Sequence, residues 1–130
     1  MNKKTVITGA ILLALAIILG AFGAHGLKSI VSPEKVDSFE SGVRYQFYSA
    51  FSLLILGLNA DKIKFSLKPI TTLILLGTFL FSFSIYLLSL QEYWQLKLSF
   101  LGPITPIGGV LMISAWVVFI LKLIRSNQLE

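Results

Sequence analysis

The sequence has no cysteine. That excludes disulfides, thiolate metal sites, iron–sulfur clusters and cysteine nucleophiles, and with them a lipoprotein anchor, which needs cysteine at its processing site. There is one histidine, His25, so the chain by itself cannot build a multi-histidine metal site. Charge is scarce: 13% of the 130 residues are charged, against about 25% in a typical soluble domain. So few charges cannot make the polar surface that a small soluble domain needs. Hydrophobic residues make up 55% of the chain, and this surplus must face something other than water. The length suits one domain. Residues 1–130 read as a single transmembrane domain without linker, low-complexity segment or internal repeat.

A helix needs about 20 mostly apolar residues to cross roughly 30 Å of hydrocarbon. Four stretches qualify, at about residues 5–27, 43–60, 68–90 and 100–121. Their backbone groups need partners within the membrane, and the runs are too long and unbroken for barrel strands. The expectation is an all-α membrane protein, a four-transmembrane-helix bundle. The first stretch, behind Lys3 and Lys4 and with small residues near Ala21 and Gly23, also resembles a signal peptide. It is long enough to span and is read as a retained span.

The first loop is the only long one. Ser32 suits an N-cap and Pro33 a first helical position. Val36, Phe39 and Val43 follow at helical spacing, with Glu34, Asp37 and Glu40 between them. This pattern predicts a short amphipathic interfacial helix over about residues 33–42, between helices 1 and 2, joined to the second span at Gly42.

The net charge of +5 does not form a nucleic-acid patch, because the basic residues are scattered over several helix ends. Lys3, Lys4, Lys62, Lys64, Lys68, Lys122 and Arg125 fall on one side of a four-span chain. Lys28, Lys35, Arg44 and Lys97 fall on the other. Seven against four puts both termini in the cytoplasm.

Polar residues in spans are the first place to look for function. His25 ends the first span at its outer boundary. Arg44, Tyr45, Gln46 and Tyr48 begin the second, Ser82, Ser84, Tyr86 and Ser89 lie in the outer half of the third, and Thr105 begins the fourth. By helical phase, Tyr45, Tyr48, Ser49 and Ser52 share one face, and Thr78, Ser82, Tyr86 and Ser89 share another. Ala16, Gly20, Gly23, Gly108 and Gly109 supply close approach. A narrow polar pocket opening outward, lined by His25, Arg44, Gln46 and Tyr86, is one reading. The other is structural: Arg44 snorkels, the tyrosines with Tyr93 and Trp94 form an interfacial belt, His25 meets free carbonyls at a helix end, and the serines bond their own backbone.

Four segments carry a family resemblance: residues 20–27 (GAFGAHGL), 42–48 (GVRYQFY), 77–86 (GTFLFSFSIY) and 102–109 (GPITPIGG). In order and in every span they resemble the transmembrane protein 256 family, whose bacterial members of the YgdD and YwdK type are small, uncharacterised membrane proteins. The resemblance implies a bacterial plasma (inner) membrane protein and no particular activity. It marks His25, Arg44, Tyr45, Gln46 and Tyr48 as signature positions. Similar proteins often carry a histidine where this chain has Ser49, so a two-histidine site is unavailable here.

Three functions compete. The leading one is a non-enzymatic membrane protein that binds a small anionic or lipidic ligand, or assists a membrane partner, at the outer polar cluster. Arg44 would anchor an anion, and His25, Tyr45, Gln46, Tyr48, Ser82, Tyr86 and Thr105 would complete the site. The alternative is a small transporter or channel, which with so few spans requires a homo-oligomer. An enzyme ranks last: no carboxylate lies within a span, no metal or cofactor constellation exists, and no nucleophile motif appears.

Overall fold

The computed structural model describes residues 1–126. The described residues form five α-helices: α1 (Lys3–Ala24), α2 (Pro33–Leu58), α3 (Lys68–Thr78), α4 (Ser84–Leu90) and α5 (Ile104–Arg125). A π-helical turn, Phe79–Phe83, runs α3 into α4 without a loop. No strand occurs among the described residues.

The predicted start of α2 is present. Ser32 caps it, its hydroxyl accepting from the Lys35 amide at 3.4 Å, and Pro33 is the first helical residue. The amphipathic segment is not a separate helix, however. Residues 33–42 and the span that follows are one unbroken helix of 26 residues. Gly42 is no joint. Its role is clearance: a Cβ there would lie 2.7 Å from Tyr86 Cε1.

The expectation of four helices apolar enough to span is corrected to three. Lys3–Ser29, Lys68–Leu90 and Ser99–Arg125 are long and apolar enough to cross a membrane, and α2 is not. Its length is ample, about 39 Å at 1.5 Å per residue. Its composition falls short, because Glu34, Asp37, Glu40, Arg44 and Gln46 occupy its first half. On α1 and α5 the exposed residues are themselves apolar: Ile11, Ile18, Val110 and Ile113 are each more than half exposed. Such contiguous apolar surface suits lipid rather than water.

Short contacts fix the topology. The Asn2 amide donates to the Gly57 carbonyl at 2.8 Å, and the amino terminus meets Asp61. Lys122 Nζ reaches the Ser66 carbonyl at 3.5 Å. The start of α1, the α2–α3 turn and the end of α5 therefore share one end of the molecule, the termini end. The α1–α2 and α4–α5 connections form the loop end.

Packing follows chain order: α1 on α2, α2 on α3 and α4, and α5 on α3 and the π turn. Small residues set the approach. Gly9, Ala16 and Gly23, spaced seven apart, are the buried residues of α1 and face α2. A Cβ on Gly9 would lie 3.0 Å from the Ala50 carbonyl oxygen. Gly77 and Gly108 do the same between α3 and α5, where a Cβ on Gly108 would sit 2.4 Å from the Phe81 amide nitrogen. Helices in lipid gain little from hydrophobic burial and associate through such close packing and through hydrogen bonds.

Candidate functional site

The outer polar residues do not converge on one pocket. They separate into a hydrogen-bonded seam inside the molecule and a polar face outside it.

Gln46 is the centre of the seam. It is 5% exposed. Its Nε2 donates to the Leu12 carbonyl of α1 at 2.9 Å, and its Oε1 accepts from the Tyr86 hydroxyl of α4 at 2.7 Å. Only this amide orientation satisfies both partners, so one side chain ties three helices together. One turn away, Ser82 donates to the Gly42 carbonyl at 2.8 Å. Deeper, the Thr78 hydroxyl is 2.6 Å from both the Ser49 hydroxyl and the Ile74 carbonyl, and Ser49 Oγ is 3.6 Å from Met112 Sδ. On the opposite side of α4, the Ser84 and Thr105 hydroxyls are 2.6 Å apart. Such bonds act as polar glue between membrane helices, each worth about 0.6 kcal/mol on average. Ser89 alone has a buried hydroxyl with no partner among the described residues.

The third-helix stripe read from phase is thus internal: Thr78, Ser82, Tyr86 and Ser89 are all buried. On the second helix Tyr45, Tyr48, Ser49 and Ser52 do share a face, which borders α5, but its two tyrosines are not internal. Tyr45 and Tyr48 point outward, 41% and 56% exposed, while Gln46 and Ser49 face in. Around a helix at 100° per residue, Tyr48 lies 200° from Gln46. The pocket of His25, Arg44, Gln46 and Tyr86 does not form either. His25 is the exposed C-cap of α1, and Arg44 is on the exposed face of α2. Arg44 has no ion-pair partner among the described residues.

Two grooves flank the seam. The larger, about 570 Å³, lies between α1 and the path from α3 to α4. Its walls include Leu12, Leu15, Leu19 and Phe22 on one side and Leu75, Phe79, Leu87 and Leu90 on the other. Gln46, Thr78, Ser82 and Tyr86 line its floor, and Trp94 stands at the loop end. The smaller, about 430 Å³, lies between α2 and α5 and is lined by Tyr45, Tyr48, Ser49, Ser52, Met112 and Trp116 among others. No group of three or more histidine, aspartate or glutamate residues among those described could hold a metal ion.

The profile of a protein family, described as protein of unknown function (DUF423), matches residues 19–109. The chain belongs to this DUF423 family. The matched region holds the whole seam from Gly42 to Thr105, with the Leu12 carbonyl and Met112 lying just outside it. The chain is 37% identical over 126 residues to the UPF0382 membrane protein YwdK of Bacillus subtilis (strain 168), covering 95% of this chain and 98% of that protein. It is 39% identical over 119 residues to the UPF0382 membrane protein SAB0533 of Staphylococcus aureus (strain bovine RF122 / ET3-1), covering 92% and 93%. The UPF0382 membrane protein SH2409 of Staphylococcus haemolyticus (strain JCSC1435) is 35% identical over 120 residues, covering 92% and 94%. No solved structure shows significant similarity to the chain. With three apolar spans and relatives that are membrane proteins, this DUF423 member is a multi-pass membrane protein.

Ser49, Ser84 and Met112 were absent from the candidate site read from sequence, and the Leu12 carbonyl has no side-chain signal at all. From sequence Ser84 reads only as a polar residue of the third span; as the second serine of Phe81-Ser82-Phe83-Ser84 it faces the opposite side of the helix from Ser82, and both sides here are packed.

Proposed function

We propose that the protein is a non-enzymatic lipid-binding protein of the bacterial plasma membrane, holding one lipid chain in the groove between α1 and α4. The observation that carries this reading is the length and lining of that groove. Along α1 it runs from Leu12 to Phe22, ten residues or about 15 Å. That is about half of the roughly 30 Å hydrocarbon thickness, the depth of one leaflet. The walls are almost wholly apolar, so they suit a hydrocarbon tail. The polar floor is committed to internal bonds and makes few demands on a ligand.

The lysine and arginine bias favours a cytoplasmic termini end, and in that orientation the groove opens in the outer leaflet. The head group would emerge beyond Phe22 and Leu90. Trp94 stands at that level, where indole rings favour the interface, and His25 follows Phe22 by three residues. The anionic anchor expected of Arg44 has no part here, because Arg44 does not line this groove.

Trp94 reports on the groove directly. In a Trp116→Phe chain purified in mild detergent, phosphatidylglycerol with brominated acyl chains should quench Trp94 fluorescence saturably, at about one lipid per copy. Quenching that rises without saturation, or none, would reject a defined lipid site.

A further inference from the structure

We propose that the exposed face of α2 is a dimer interface, on which a second copy of this chain packs in parallel about a two-fold axis along the membrane normal. This goes beyond lipid binding and does not depend on it, since the face lies on the opposite side of α2 from Gln46 and the α1–α4 groove.

The helix runs beside α1 over its whole length. Asn2 meets Gly57 at the termini end, and Gly23 meets Phe39 at the loop end. α2 therefore shares the depth of a spanning helix while being too polar to face lipid alone. The conflict lies on one face. Asp37, Ser41, Arg44, Tyr48, Phe51 and Ile55 recur at alternating steps of four and three, the seam of a parallel helix pair. All six lie on the accessible side, with Tyr48 56% and Ile55 61% exposed. Tyr48 is nine residues from the Phe39 level, about 13 Å into the bilayer. Its hydroxyl has no partner among the described residues, and in hydrocarbon an unpartnered polar group is costly.

A two-fold axis through this face sets Arg44 opposite its own copy, so each guanidinium needs a carboxylate, and the half-buried Glu40 at the edge of the face supplies it. Glu40 precedes Arg44 by four residues, the favourable spacing for an ion pair within a helix, yet the two do not pair. In a parallel two-fold pair, each Arg44 lies one turn, about 6 Å, below Glu40 of the other copy. An extended arginine covers that distance. Arg44 is also level with the other copy's Tyr45 and one turn above its Tyr48, so aromatic faces can receive the cation. Ser41 is small enough to let the backbones approach, and Phe51 and Ile55 continue the contact with apolar side chains. A lipid phosphate would answer Arg44 alone and leave the Tyr48 hydroxyl in hydrocarbon.

The absence of cysteine makes the test clean. Ser41→Cys and Tyr48→Cys, oxidised in native membranes, should each give disulfide-linked dimers. Ile107→Cys, exposed on the side of α5 turned away from the α2–α5 groove, should give at least tenfold less. Adding Arg44→Glu to the Ser41→Cys chain should reduce its cross-linking at least fivefold, and adding Glu40→Arg as well should restore it. Equal cross-linking at 41, 48 and 107 that scales with expression level would mean random collision and overturn the proposal. So would an absence of dimers at 41 and 48, or cross-linking unaffected by Arg44→Glu. Failure of the double reversal to restore dimers in a chain still folded by protease resistance would overturn the pairing of Arg44 with Glu40.

Discussion

Gly108→Ala is expected to destabilise the protein by about 1–3 kcal/mol, the usual cost of forcing volume into a packed site. The added Cβ would sit 2.4 Å from the Phe81 amide nitrogen and 2.6 Å from the Gly77 carbonyl oxygen. Both atoms are backbone, so no side chain can swing aside, and α5 must lift from the π turn. Gly77→Ala meets the same contact from the other side, 2.8 Å from the Gly108 carbonyl oxygen, and should cost a similar amount. Gly109→Ala is the control with the opposite sign. Its Cβ would meet only the Phe81 ring, at an ordinary 3.7 Å. Alanine in a helix is favoured over glycine by about 0.5–1 kcal/mol, so this variant should be neutral or slightly more stable. Unfolding of the purified chain in mixed detergent micelles measures all three. Equal effects at 108 and 109 would contradict the close packing of α5 on α3 and the π turn.

Gln46→Leu is expected to cost about 1–3 kcal/mol, because it removes two hydrogen bonds and leaves the buried Tyr86 hydroxyl without a partner. Tyr86→Phe should cost less, about 0.6–1.7 kcal/mol, the range for interhelical bonds in membranes. It leaves the Gln46 amide still bonded to the Leu12 carbonyl. The informative result is the double variant. Once Gln46 is leucine, the Tyr86 hydroxyl is an orphan, so deleting it should cost nothing or recover stability. The pair should therefore be strongly non-additive, as groups in one hydrogen-bond network are. Additive losses would mean that the two side chains do not bond in the membrane.

Apolar length was enough to mark α1, the α3–α4 path and α5, because each reads as an uninterrupted run against few alternatives. It overcounted at α2. There the polar residues divide between an inward seam and an outward face, and a linear count cannot tell the two apart. The cap of α2 was legible in Ser32 and Pro33, since capping is local chemistry. The break expected at Gly42 does not exist, because that glycine answers the Tyr86 ring, forty-four residues away in sequence. The π turn had no visible signal. Phase placed Thr78, Ser82, Tyr86 and Ser89 on one face of the third span, and they are buried there. Phase also kept Tyr45, Tyr48, Ser49 and Ser52 on one face of the second helix, but it could not tell that the two tyrosines are exposed while Gln46 turns in. Sequence position gave His25 and Arg44 the same depth as Gln46 but not a direction, and direction depends on how α1 and α2 meet through Gly9, Ala16 and Gly23.

We propose that the α1–α4 groove holds a lipid chain. Native mass spectrometry of protein released from its own membranes tests it most directly. The expected spectrum shows one phospholipid retained per copy at collision energies that strip the detergent. Leu15→Trp, which places an indole in the groove wall, should lose that lipid, and Ile113→Trp on the far face of α5 should keep it. A bare chain under the same conditions, or equal retention in both variants, would contradict the claim.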